Sequence, residues 1–279
     1  LHVRLEKWTC FLFSSIGFFY SCITPSASGG QPAQIYYMKK KDVPIPVSTL
    51  VLMVVTITYK AVLVLIGLGM MVFGQGFIRK YLTGVLPVFY LGIALNVICV
   101  GVLVLLVFHT TLAETIVSKS LTLLEKIHIL RYKESRHEKL RCGMEKYRET
   151  AVYFKTHKHV VLYVLGITFV QRFALFLSTY FVYRSFGLHE FDPVTIMLLQ
   201  AAISIAVDML PLPGGMGISE KLFLTVFIPV FGAGLLLPGM VLSRGLSYYT
   251  ELLLSALLTL YAHFTIKGKP AGSVQEKNS

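Results

Sequence analysis

From Thr83 to Phe108 the chain runs TGVLPVFYLGIALNVICVGVLVLLVF without one charged side chain. A helix crosses a bilayer's hydrocarbon core with about 20 mostly apolar residues. Lipid offers no partner to backbone N–H and C=O groups, so such a segment must satisfy them internally. This run therefore fixes the solvent of the protein before its fold. Other windows repeat the signal. Trp8–Thr24 is short but uncharged, Val47–Phe73 is interrupted only by Lys60, Val160–Tyr183 carries Arg172 near its midpoint, and Gly245–Ile266 carries Glu251. Of the 279 residues, 55% are hydrophobic and 14% are charged, where soluble domains carry about 25% charged residues. The expected fold class is all-α: a polytopic transmembrane helical bundle forming a single integral membrane domain over residues 1–279.

The net charge is +12, and its distribution says what it is for. Residues 109–158 hold 11 Lys/Arg against 6 Glu in a helix-compatible pattern. The positive-inside rule makes this a basic cytoplasmic helical segment. Met38–Lys41 agrees, as does the tail 267–279, expected to be disordered and cytoplasmic; Arg79 and Lys80 fall on the opposite side. Acidic lipid headgroups are the expected counter-charge, with no direct nucleic-acid partner. The expected location is the cell (plasma) membrane, crossed several times. Cys10, Cys22, Cys99 and Cys142 lack zinc-like or CxxC spacing, so neither a metal nor a disulfide framework is expected. No cleavable signal peptide stands out, and the first residue is Leu. The sequence is expected to begin inside a longer protein, with membrane segments upstream.

Two interruptions break the apolar pattern. The stretch Asp208–Leu222 reads DMLPLPGGMGISEKL, and Cys22–Gln34, CITPSASGGQPAQ, also places a proline before a Gly-Gly pair. Paired Pro/Gly breaks in two halves of a membrane protein point to a substrate site built from discontinuous helices. The freed backbone must line a cavity or be buried in protein. A helix starting at Met216–Ser219 would aim N–H groups and a positive dipole end into that cavity, a seat for phosphate. Glu220 could satisfy the same donors itself. The flanking pieces Val194–Val207 and Leu222–Pro229 are too short to cross, so re-entrant helices meeting at mid-membrane depth are expected there.

Ionisable residues held in the membrane complete the expected site. Each costs about 2.5–3.5 kcal/mol at the bilayer centre and usually faces a cavity or another charge. Arg172, Asp208, Glu220, Arg244 and Glu251 are the candidates for contact with a lipid headgroup, together with Gly29, Gly30, Gly214 and Gly215 for close backbone approach. Arg244, Tyr248 and Glu251 share a helix face by their spacing. Asp208 is expected to pair with Arg172 or Arg244, and Lys60 to be either a cavity charge or a snorkelling side chain. No catalytic residue and no cofactor is expected.

The motif LPLPGGMGISE, followed by a broken apolar run and LSRGLSYY, with ITPSASGGQPAQIYYMKKK upstream, resembles the membrane domain of the lysylphosphatidylglycerol synthase/flippase family. The Pro-x-Pro-Gly-Gly-x-Gly-[Val/Ile]-x-Glu pattern is matched at Pro211–Glu220, and the resemblance runs from about Trp8 to Ile266. It implies a flippase-like protein moving an anionic or modified phospholipid, such as an aminoacylated one, between leaflets. Bifunctional members add a soluble synthase domain, which this sequence lacks, so a separate synthase is a possible partner. Two alternatives remain open: a transferase component of the phosphatidylglycerol lysyltransferase or glycolipid type, and a non-transporting membrane scaffold.

Overall fold

The computed structural model describes residues 5–126 and 134–266. The tail 267–279 and residues 127–133 of the basic segment lie outside the described residues. Every regular element among the described residues is helical, in keeping with the all-α expectation. Helix α1 (Lys7–Ile23) leads through a 3-10 turn at Pro25–Ala27 into α2 (Gly30–Lys40). Then come α3 (Ile45–Phe73), the short α4 (Gln75–Tyr81) and α5 (Leu86–Phe108). The basic segment folds as α6 (Thr110–Lys126) and α7 (Glu134–Thr156), and α8 (Lys158–Ser185) returns to apolar sequence.

After α8 the chain breaks repeatedly. Helix α9 (Pro193–Val207) stops at Asp208, a second 3-10 turn occupies Pro213–Gly215, and α10 (Ile218–Val226) is only nine residues long. Helix α11 (Ile228–Arg244) passes through a π turn at Gly245–Tyr249 into α12 (Thr250–Thr265).

Among the described residues, four helical stretches are long and apolar enough to cross a membrane: Ile45–Phe73, Thr83–Phe108, Lys158–Ser185 and Ile228–Thr265. The chain is a multi-pass membrane protein. The last stretch departs from the sequence expectation, which started a separate apolar window at Gly245. Its 38 residues would reach about 57 Å as a straight helix, far beyond a hydrocarbon core of about 30 Å. Gly232 (φ 67°) breaks the helical geometry, Pro238 removes a hydrogen bond, and the π turn shifts the register. Gly232 therefore separates a short first piece from the rest, and beyond it the helix runs on through Pro238 and the π turn.

Helix α9 lies at the centre of the bundle. It packs against α3, α5, α8 and α10, and Ile196, Leu199, Ala201, Ala202, Ile203, Ile205 and Ala206 are buried. Its small residues admit close neighbours: a Cβ on Gly92 of α5 would strike the Ile205–Ala206 backbone. An apolar cluster built on α3, α5, α8, α9, α10 and α11 surrounds it, while a second joins α1, α2 and α12. The two meet where the Pro25–Ala27 turn packs on the Pro213–Gly215 turn, and α1 also touches the latter. The two sequence interruptions are thus neighbours in space.

Candidate functional site

Lys60 falls at the middle of α3, and there it finds Asp208, the residue that ends α9. Lys60 Nζ donates to Asp208 Oδ2 at 2.6 Å, and the side chains are 11% and 9% exposed. Tyr59 donates its hydroxyl to Asp208 Oδ1, and the Met209 sulfur lies 2.9 Å from Lys60 Nζ. The cation of Asp208 is therefore neither Arg172 nor Arg244, as the sequence led us to expect. The physical reason is reach. Lys60 stands more than a dozen residues from either end of α3, about 20 Å along the axis. Its side chain cannot snorkel over that distance, so it takes a carboxylate delivered by the broken end of α9. That distance was readable in the sequence and identifies Lys60 as a site residue; Tyr59 carried no comparable signal.

Arg172 occupies the middle of α8 in the same way. Its guanidinium carbon lies 3.9 Å from the centre of the Tyr59 ring, a cation–π contact. Its Nε–H is buried and makes no hydrogen bond among the described residues. Glu251, half-buried in the first turn of α12, lies within electrostatic reach of Arg172. Lys60, Asp208 and Arg172 thus gather around one tyrosine.

Arg244 and Glu220 form a separate unit. Arg244 Nε donates to Glu220 Oε1 at 2.9 Å, with Nη2 at the same distance in poorer alignment, while Glu220 Oε2 accepts from the Gly217 N–H at 2.6 Å. Met216 N–H is also occupied, bonding to the Pro213 carbonyl. Two of the donors expected to receive a phosphate are therefore used by the chain itself. Arg244 also stacks on Tyr248, 4.5 Å from its ring centre. The stripe expected from Arg244, Tyr248 and Glu251 is divided by the π turn, so that Arg244 faces Glu220 while Glu251 interacts with Arg172.

The glycines at this turn have defined tasks. Gly214 (φ 56°) and Gly215 (φ 66°) adopt left-handed conformations that penalise side chains. A Cβ on Gly214 would collide with the Tyr248 hydroxyl, and one on Gly215 with Val207. The close approach at Gly214 is made by this protein's own tyrosine. Upstream, Gly29 N–H bonds Thr24 Oγ1 at 2.9 Å. Gly30 is buried, and a Cβ there would lie 2.6 Å from the Gly17 carbonyl. Gly30 therefore brings α2 onto α1.

The model of the lysylphosphatidylglycerol synthase TM region matches residues 1–255. The chain belongs to this family. The match takes in both Pro/Gly turns and every charged group described above, so the whole candidate site lies inside the lysylphosphatidylglycerol synthase TM region. Membership ties the protein to the synthesis or movement of a lysylated membrane lipid at the level of the family. No curated protein and no solved structure matches the chain.

Proposed function

We propose that the protein moves a phosphate-bearing lipid, anionic or modified as in aminoacylated phosphatidylglycerol, between leaflets. The observation that carries this reading is Arg172. A guanidinium at the middle of an apolar span normally holds a carboxylate by paired hydrogen bonds. Arg172 instead rests on the Tyr59 ring with a buried Nε–H left over. Its fork is available to a phosphate, the planar two-oxygen acceptor it fits best. Lys60 adds a second cation one residue from Tyr59, and Asp208 balances it while the site is empty.

The test is reconstitution in liposomes with fluorescently labelled phosphatidylglycerol, read by quenching of the outer-leaflet label. Wild-type protein should move label inward. Arg172→Gln should lower the rate about 10- to 100-fold, the equivalent of a lost charge-assisted hydrogen bond of about 1.5–3 kcal/mol. Arg172→Lys, which keeps the charge but loses the fork, should fall between. A stable Arg172→Gln protein that moves label at the wild-type rate would remove the basis of this assignment and favour a scaffold in its place.

A further inference from the structure

The basic segment encloses a cavity of about 690 Å³ together with the ends of α3 and α5, a size within the about 300–1,000 Å³ of small-molecule sites. Pro46 of α3, Val117 of α6 and Met144 of α7 form its walls, and Met53, Leu106 and Tyr147 meet at its inner end. There the Tyr147 hydroxyl donates to the Leu106 carbonyl at 3.1 Å and touches the Met53 sulfur at 3.8 Å. Among the described residues no charged side chain lines the cavity. Of its other hydroxyls, Thr49 Oγ1 is spent on the Ile45 carbonyl at 2.9 Å, and Ser120 is exposed. A polar ligand inside would give up water for almost no partners.

The cavity lies at a membrane face. Ile45, which starts α3, and Leu106, close to the end of α5, both line it. Met53, its deepest residue on α3, is still about 10 Å along the axis from Lys60, so the cavity is separate from the charges around Tyr59. A peptide would bring backbone N–H and C=O groups that find no partner here. A hydrocarbon chain brings none, and lipid tails surround the bundle at this depth. Those tails already sit in an apolar solvent, so entry gains them only packing contacts. Preference among lipids must then come from the headgroup, and the surroundings of the cavity are cationic. Lys119, Arg141 and Lys146 flank lining residues on α6 and α7 and are exposed, and Lys39, Lys40 and Lys41 stand just before Ile45, against Asp42, Glu114 and Glu145 in the same stretches. Such clusters attract anionic lipid.

We propose that this cavity holds one acyl chain of an anionic phospholipid from the leaflet on the side of the basic segment, with the phosphate outside among Lys119, Arg141 and Lys146. The chain fills the space that α6 and α7 leave against α3 and α5, so an anionic leaflet fastens the basic segment to the bundle. No covalent bond is made or broken. The site is a second one, independent of Arg172 and of the lipid-moving reading above.

The experiment uses the full chain in phosphatidylcholine liposomes that contain a small fraction of phosphatidylglycerol with a diazirine near the end of one acyl chain. After irradiation, the labelled residues are mapped by mass spectrometry. The buried Tyr147 should be labelled. Phosphatidylglycerol should label it about fivefold more than phosphatidylcholine carrying the same chain, the factor for one cation near a membrane surface, about 1 kcal/mol. Ala113→Phe, which puts a ring into the cavity, should remove most of that labelling while the exposed Val170 of α8 is labelled as before. Lys119→Gln with Arg141→Gln should keep the labelling of Tyr147 and erase the preference for phosphatidylglycerol. Labelling confined to exposed residues such as Val170, with none at Tyr147, overturns the proposal. Equal labelling of wild-type Tyr147 by the two lipids overturns the choice of an anionic lipid, and undiminished labelling in a folded Ala113→Phe protein shows that the chain does not lie in the cavity. Should Ala113→Phe fail to fold, the two wild-type measurements still decide. Labelling needs no lipid to cross the bilayer, so its result stands whether or not the protein moves lipid.

Discussion

Lys60 and Asp208 are each expensive alone and tolerable together. Removing one partner of a buried pair strands the other, at a cost of about 3–5 kcal/mol, whereas replacing both with apolar groups of similar volume is often neutral. Lys60→Met should therefore lower the unfolding temperature in detergent markedly, and Lys60→Met with Asp208→Leu should recover most of the loss. A single variant as stable as the parent would show that the pair is solvated and that the 2.6 Å contact contributes little. Gly214 makes a sharper case, because two penalties fall on one position. Gly214→Ala places a Cβ in a left-handed conformation, about 1–2 kcal/mol by itself, and drives it into Tyr248. Tyr248→Leu in the same chain should relieve the collision but leave the backbone strain. The double variant should therefore lie above the sum of the singles by more than the roughly 0.5 kcal/mol scatter of independent sites. Strict additivity would mean that ring and turn do not touch.

Helix α9 shows which parts of an element its sequence declares. Its start is explicit: Asp192 precedes Pro193, and the carboxylate accepts from the Thr195 N–H at 3.0 Å and the Thr195 hydroxyl at 2.7 Å. These bonds, the hydroxyl foremost, hold the Asp192 carboxyl below the usual carboxylate range against a smaller opposing effect of burial. Its folded value is depressed, so its contribution to stability is complete above about pH 4–5, the region of its unfolded titration, and is lost as pH falls through the folded value. Asp192→Ala should cost about 1 kcal/mol at neutral pH, with the deficit vanishing in acid. A deficit independent of pH would assign the loss to something other than the carboxylate. The end of α9 was legible as well, since Pro211, Pro213 and the following glycines exclude a continuous helix. Its place at the centre of the bundle was not. An apolar run reads alike whether lipid or protein surrounds it, and small residues such as Ala201, Ala202 and Ala206 reveal their use only when a neighbouring backbone arrives. The same blindness covers the Asp208 pairing: local spacing can put Arg244 and Glu251 on one face, but no local rule brings residue 60 to residue 208.

Taken whole, the described residues form three apolar clusters, two of which meet at the paired turns, with the charges close to that seam. Spans, the basic segment and both interruptions were readable because each is a contiguous pattern. The union of α11 and α12 was not, because it depends on a turn with no sequence signature. At Gly245–Tyr249 the Thr250 N–H reaches back to the Gly245 carbonyl, five residues away, so this turn holds one residue more than an α-helical turn. That surplus residue acts as a phase shift. It sets the rotation of α12 relative to α11 and so decides that Glu251 interacts with Arg172 while Ala262, Ser255 and Thr259 are buried as α12 packs on α1. Deleting the single codon for Leu246, whose side chain is exposed, would turn everything downstream by about 100°. In a library of one-codon deletions across residues 228–265, losses should be steepest at this turn. Inserting one alanine codon between Tyr249 and Thr250 should restore a Leu246 deletion, because what the gene must conserve here is a count of residues more than their identity.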